Sequence, residues 1–317
     1  MDYDVFNGDA DGIISLVMLR LAEPRDAEIV TGRKRDIALL KRVPAQTGDR
    51  VTVLDISMKT NGDALRTILK NGAEVFYADH HNAGEIPDHP KLTALINTAP
   101  EVCTAVLIDE QLKGAYRAWT VAAAFGDNFS AMAHRLAVGH NLPLAALDEL
   151  GTLINYNGYG GSVEDLLFHP AELYKALVEF ETPMEFLSKK ESLFKALQSG
   201  FKQDMASVGS AKILDETPKG MVIGLPDSAA SRRASGTYGN QLAQENPGRA
   251  HAILTLQDTD AGAGYLVSIR APLSSRTGAD ALALQFETGG GRAAAAGVNH
   301  LPLANLNDFI KAFQEAF

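Results

Sequence analysis

The chain has 317 residues, 46% of them hydrophobic and 21% charged, with a formal net charge of −10. Single cores stop growing at roughly 250 to 300 residues, so two domains are expected, in an ordinary globular protein and not a disordered or fibrous one. The acidic balance excludes non-specific wrapping of long duplex nucleic acid, which depends on lysine and arginine displacing counterions from phosphates. Apolar stretches such as 118–125 and 292–298 fall short of the roughly 20 residues that span a bilayer, so no membrane partner is expected. Acidic residues stand where a secretory signal would carry lysine or arginine, and the single cysteine, Cys103, cannot form an internal disulfide. A reducing cytoplasm is the expected compartment.

The first hundred residues alternate short apolar runs with helix-like stretches, at 3–6, 11–21, 27–30, 35–42, 50–55, 60–71 and 74–78. This alternation predicts βαβ units and a parallel sheet. Each apolar run gives way at once to polar or glycine-rich residues, at the strand ends where open α/β sheets place ligands. Residues 115–207 predict helices at 119–125, 130–138, 144–153, 170–178 and 184–205, with no strand between them and a turn-rich loop at 155–162. The alternation then resumes. Runs at 211–214 and 221–225 flank the turn Thr217-Pro-Lys-Gly220 as a hairpin. A helix near 238–245, strands at 251–257 and 264–270 around a turn at 258–262, a helix at 279–286 and a glycine run at 289–291 follow. The expected fold is α/β, with an N-terminal parallel-sheet domain at 1–183, a helical linker at 184–206 and a smaller α/β domain at 207–317. There is no internal repeat.

Three strings carry chemistry. In Asn7-Gly-Asp9-Ala-Asp11-Gly12, at the end of the first strand, two aspartates with small neighbours can aim both carboxylates at one point, or simply cap the following helix. A calcium loop is ruled out, because its twelfth position needs a bidentate glutamate and holds Met18. Val51-Thr-Val-Leu-Asp55 and Val75-Phe-Tyr-Ala-Asp79-His80-His81 are the second and third. Taken singly, each fits a solvated strand end. Together they put aspartate or histidine at the ends of three successive strands, on what should be one rim of one sheet. Carboxylates with imidazole and no thiolate suit Mn²⁺ or Mg²⁺. Two such ions sharing a carboxylate can clamp the attacking and leaving oxygens of a phosphoryl displacement.

These strings resemble the DHH phosphoesterase family, whose naming motif is matched by Asp79-His80-His81, and the resemblance extends over the whole chain. It implies two divalent ions, Mn²⁺ or Mg²⁺, with Asp9 and Asp55 on one and Asp11, Asp55, His80 and Asp127 on the other. Asp55 would bridge them. Asp79 and His81 would orient ligands, contact phosphate or handle a proton, and with Asp55 and His80 they form the expected catalytic set. Asn97 and Thr104 match a loop facing the metals. One departure is visible: many members carry a histidine shortly before the first aspartate pair, where this chain has Val5 and Asn7. An amide oxygen from Asn7 is a poorer Mn²⁺ ligand than imidazole.

The string Gly289-Gly-Gly-Arg292-Ala-Ala-Ala-Ala-Gly297 allows close backbone approach to an anion, or else forms a flexible loop before an alanine-rich helix. It resembles the glycine-rich motif of the DHHA1 domain, with Arg292 where members usually carry histidine; arginine still binds phosphate bidentately. Ser268 and Arg270, sharing one face of a strand by period-2 alternation, resemble the same domain's strand motif. Gly289, Gly290, Gly291, Arg292, Ser268, Arg270 and His81 are therefore the expected substrate contacts. Arg232-Arg233 and the triplet Arg33-Lys34-Arg35 read as solvated charge, and the other histidines (His89, His134, His140, His169, His251 and His300) as structural.

The resulting expectation is a phosphodiesterase that cleaves very short oligoribonucleotides or linear dinucleotides such as pGpG to nucleoside monophosphates, using water activated between two ions. A homodimer is compatible with it. The competing expectations are a single-strand DNA exonuclease of the RecJ type, a manganese pyrophosphatase or polyphosphatase, and a nucleotide sensor without turnover. The net charge and the absence of a recognisable added nucleic-acid module weigh against the first, the nucleotide-oriented second domain against the second, and the retained ligands against the third.

Overall fold

The computed structural model describes residues 1–209 and 211–317, which form two compact units, Met1–Ser199 and Gly200–Phe317. Among the described residues, no helix is long and apolar enough to cross a membrane.

The first unit opens with β1 (Asp2–Phe6), α1 (Ala10–Ala22), β2 (Glu28–Val30), β3 (Arg50–Leu54), α2 (Met58–Lys70), β4 (Glu74–Asp79) and β5 (Leu92–Ile96). Their strands form one five-stranded sheet in the order β2-β1-β3-β4-β5, parallel throughout. The chain leaves β1 toward β2 on one side and returns to β3 on the other, so the sheet reverses its winding between β1 and β3. Ligands of open α/β sheets bind in the crevice outside such a switch point. One face of the sheet is covered by a core containing Val5, Val53, Leu65, Ile68 and Tyr77, all almost fully buried. A buried pair, Arg20 on Asp4 with Thr52 as a further acceptor, ties α1 to β1 and β3.

Seven helices complete this part of the chain: α3 (Thr104–Gln111), α4 (Arg117–Gly126), α5 (Ser130–Ala137), α6 (Leu144–Asn157), α7 (Pro170–Leu177), α8 (Pro183–Lys189) and α9 (Glu191–Val208), the division between units falling within α9. Helix α4 is buried along most of its length, from Trp119 to Gly126. Its glycine end is squeezed: a Cβ on Gly126 would lie 2.5 Å from Ala10 Cβ and 2.7 Å from the Gly151 carbonyl oxygen. The close approach brings the end of α4 against the start of α1.

The second unit contains β6 (Lys212–Glu216), β7 (Gly220–Leu225), α10 (Ala229–Glu245), β8 (Ala250–Thr259), β9 (Gly262–Arg270), α11 (Ala279–Ala283), β10 (Gly289–Gly291), β11 (Ala295–Pro302) and α12 (Leu306–Ala316). Its sheet runs β10-β11-β9-β8-β7-β6, with β7 and β8 parallel and the other pairs antiparallel. Phe309 and Phe313 of α12 fill the core of this unit with Leu254, Val267 and Leu282.

Several local expectations are corrected. The helix expected at 35–42 is a short 3-10 turn at Leu39–Arg42, because Asp36 folds back to accept from the Arg33 amide and guanidinium. The single helix at 184–205 is two, interrupted at Lys190, whose ammonium pairs with Glu179 at 3.0 Å. The loop expected from 155 begins later, since Asn155–Asn157 belong to α6; there Asn157 exchanges two hydrogen bonds with the Phe168 backbone. The glycine run is an edge strand, and the alanines after it start strand β11, so no alanine-rich helix follows. β5, α3, β11 and α12 are additional elements.

Candidate metal centre

The rim of the parallel sheet gathers the acidic strings. Asp9 and Asp11 follow β1, Asp55 follows β3, and Asp79, His80 and His81 close β4. The turn after β1 is tight: a Cβ on Gly8 would lie 1.7 Å from the Gly32 carbonyl oxygen. Asp55 adopts a left-handed backbone with φ 58°, a conformation that aspartate tolerates better than most side chains. Asp127 arrives from the C-terminal end of α4.

Two groups of side chains bring ligand atoms within 4.8 Å of one another: Asp55, His80 and His81, and Asp11, His80 and Asp127. His80 is buried, and its Nδ1 lies 2.6 Å from the Val102 carbonyl oxygen, which can only accept, so Nδ1 carries the proton. Its Nε2 faces the carboxylates, 3.4 Å from Asp55 Oδ1, 3.7 Å from Asp127 Oδ2 and 3.8 Å from Asp11 Oδ2, and in the neutral ring it presents a lone pair to them. This is how metal-ligating imidazoles are oriented, by a backbone carbonyl on the opposite nitrogen. Asp11 is fixed by the start of α3, accepting from the amides of Thr104 and Ala105, both at 2.7 Å. Thr104 also donates its hydroxyl to Asp55 Oδ1 at 3.1 Å.

The clustered carboxylates repel one another. Burial pushes the Asp55 carboxyl well above the usual carboxylate range, and the facing Asp11, Asp9, Asp127 and Asp79 push it further. Asp11 is likewise raised, by burial and by Asp127 and Asp9, against the opposing pull of His80. Oxygen donors with one or two imidazole nitrogens fit Mn²⁺ or Mg²⁺, so each of the two groups could hold a divalent ion, with His80 common to both.

Asp9 belongs to neither group. Its Oδ1 caps α1 by accepting from the Gly12 amide at 3.1 Å, while its Oδ2 lies 2.6 Å from the Lys34 ammonium. Burial alone would raise its pKa, yet Lys34 outweighs it and pulls Asp9 down to about 2. Lys34 also meets Asp127 Oδ1 at 3.2 Å and Asn155 Oδ1 at 2.9 Å. Burial would lower the lysine pKa, but Asp9, Tyr159 and Asp127 hold it well above the ordinary value. Lys34 and Asn155 were not legible as site residues, since both owe their place to contacts distant in sequence.

The other expected residues stand as follows. His81 is about one-third exposed and pairs through Nδ1 with Asp79 Oδ1 at 2.7 Å. Asp79 is fully buried. Asn7 is buried and donates its amide to the Lys34 carbonyl at 3.2 Å, whereas its Oδ1 has no hydrogen-bond partner. Asn97 is exposed and its side chain accepts from the Ala99 amide. In the second unit, Arg270 donates to Ser268 Oγ at 3.0 Å, to Asn240 Oδ1 at 2.6 Å and to the Gly236 carbonyl at 3.3 Å. Gly289, Gly290 and Gly291 form the edge strand, and Arg292 is exposed beyond it.

No protein-family model matches the sequence, and no curated protein matches it. Solved structures do. A DHH-domain structure described as a member of the s1p family of ribosomal proteins superposes with a TM-score of 0.66 at 13% identity, covering 99% of this chain and 85% of that one. Exonuclease RecJ bound to manganese gives 0.56 at 19% identity, covering 99% and 89%. PggH of Vibrio cholerae, a pGpG-specific phosphodiesterase, gives 0.53 at 17% identity and covers both chains completely. At such identities the likeness is one of architecture: the chain has the fold of the DHH-domain proteins, with its acidic and histidine centre on the carboxyl rim of the parallel sheet.

Proposed function

We propose that the chain is a metal-dependent phosphodiesterase that hydrolyses very short oligoribonucleotides or linear dinucleotides such as pGpG to nucleoside monophosphates. The observation that carries this reading is the convergence of Asp11, Asp55 and Asp127 on His80 Nε2, with the opposite ring nitrogen held by the Val102 carbonyl. These residues would hold a divalent ion, which would lower the pKa of water and polarise a phosphoryl oxygen. The chain's own groups prepare the rest. Asp11 is locked by the α3 amides, so the donor set does not need to assemble when the ion binds. Asp79 fixes the ring of His81 through Nδ1, which makes Nε2 the nitrogen that exchanges a proton with the departing or entering oxygen. In the second unit, the hydrogen-bonded pair Ser268 and Arg270, the glycine edge Gly289–Gly291 and the exposed Arg292 supply the proposed phosphate contacts.

Full mutual coverage with the pGpG-specific phosphodiesterase supports the short-substrate reading. A second reading, single-strand exonuclease, is favoured by the slightly higher TM-score of RecJ and opposed by the net charge of −10. Purified protein with Mn²⁺, given pGpG, a five-nucleotide RNA, long single-stranded DNA and pyrophosphate, separates them by chromatography. Release of monophosphates from the first two is the expected result; preference for long DNA selects the exonuclease, and inactivity on every substrate removes both.

A further inference from the structure

We propose that the Lys34 ammonium takes the place of one of the two metal ions expected in this centre, neutralising Asp9 and Asp127 and leaving a single divalent ion for Asp11, Asp55, His80 and Asp127. The inference rests on the metal-dependent reading above and changes its stoichiometry from two ions to one.

The lysine is built in at both ends. Its Nζ lies 2.6 Å from Asp9 Oδ2, 2.9 Å from Asn155 Oδ1 and 3.2 Å from Asp127 Oδ1. The ring of Tyr159 lies 5.4 Å from it, measured to the centroid. Three oxygens match the three donors of an ammonium, and an aromatic face completes its surroundings. Its backbone is held as well: the amide donates to the Gly158 carbonyl at 2.9 Å, and the carbonyl accepts from Asn7 Nδ2 at 3.2 Å. A side chain that drifted toward acidic residues would need none of this bracing.

Geometry then closes the Asp9 side to a second ion. A divalent ion on Asp9 Oδ2 would bind at roughly 2.0 to 2.6 Å, against an ammonium already 2.6 Å from the same oxygen. Asp9 also stands outside both groups of ligand atoms close enough to share an ion. Asn7 fits the same scheme, bracing the lysine through its amide nitrogen. Lys34 is in these terms a positioning residue, holding Asp9 and Asp127 in place as an ion would and contributing a single charge instead of two.

The test is the Mn²⁺ content of the full chain after metal stripping, reloading and removal of free metal, together with its electron paramagnetic resonance spectrum. One Mn²⁺ per chain with the resolved hyperfine lines of an isolated ion is expected. Lys34→Ala should raise the content toward two and show exchange coupling between paired ions. Lys34→Arg, which keeps the charge, should stay at one. Two coupled ions in the unaltered chain would overturn the inference and leave the phosphodiesterase reading intact. No bound Mn²⁺ in any of the three would overturn that reading, and the inference with it.

Discussion

The two units differ in how densely they gather buried carboxylates. In the first, Asp9, Asp11, Asp55 and Asp79 are all nearly inaccessible, with Asp127 beside them, and Lys34 is their one ammonium partner among the described contacts. In the second, Arg233 pairs with Asp204 at 2.7 Å, and Arg270 donates to Asn240, Ser268 and the Gly236 carbonyl. His251 is buried with no hydrogen-bond partner on either ring nitrogen, and burial, helped by Arg249, pushes its pKa down to about 4, so it is held neutral. The first unit concentrates carboxylates that a bound cation would neutralise, and the second has no such cluster among the described residues.

The largest expected effect tests the first unit's cluster directly. Asp55→Asn keeps the shape and removes a charge from the middle of the cluster; phosphodiester turnover should fall about 10³-fold or more, measured as kcat at saturating Mn²⁺. Retention of turnover would sink the assignment of Asp55 as a ligand. Lys34→Met removes the internal cation and should cost roughly 10²-fold in kcat. Asp79→Asn leaves His81 without its carboxylate and should cost on the order of 10 to 100-fold in kcat. An unchanged kcat would show that the pairing is only structural.

Two smaller effects concern stability. Mn²⁺ at about 100 times its dissociation constant should stabilise the first unit by roughly 2.7 kcal/mol, seen as a rise in its Tm, and leave the second unit's transition where it was. A shift confined to the second unit would place the ion outside the acidic cluster. His251 gives the opposite signature. Because the folded state holds it neutral, the unfolded chain binds more protons between the ordinary histidine value near 6.5 and about 4, so stability is present above that window and is lost as pH falls through it. Roughly 1 to 3 kcal/mol is at stake, and His251→Phe should flatten that part of the urea-midpoint curve against pH.

Much of the first unit's centre was legible because strand ends are local events. Asp9, Asp11, Asp55 and the Asp79-His80-His81 string each interrupt an apolar run, and the parallel sheet brings those interruptions to one rim. What escaped was set from far away. Lys34 reads as one of three adjacent basic residues, and its partners Asp127 and Asn155 lie 93 and 121 positions on. Helix α3 escaped for a related reason: Cys103 makes no side-chain cap, and its first amides are satisfied by Asp11 instead. Strand β5 is a half-exposed edge, without the buried apolar pattern that marks its neighbours. The break at Lys190 follows no glycine or proline, the usual punctuation of a helix end.

The left-handed backbone of Asp55 bears on which substitutions this centre can take. At φ 58° a β-branched or bulky residue is strained, while asparagine and glycine are accommodated. Most replacements there would therefore damage the turn after β3 together with the ligand set, and their loss of activity would mix two causes. Few side chains can stand at this position, and asparagine is the one that keeps both the turn and the side-chain shape.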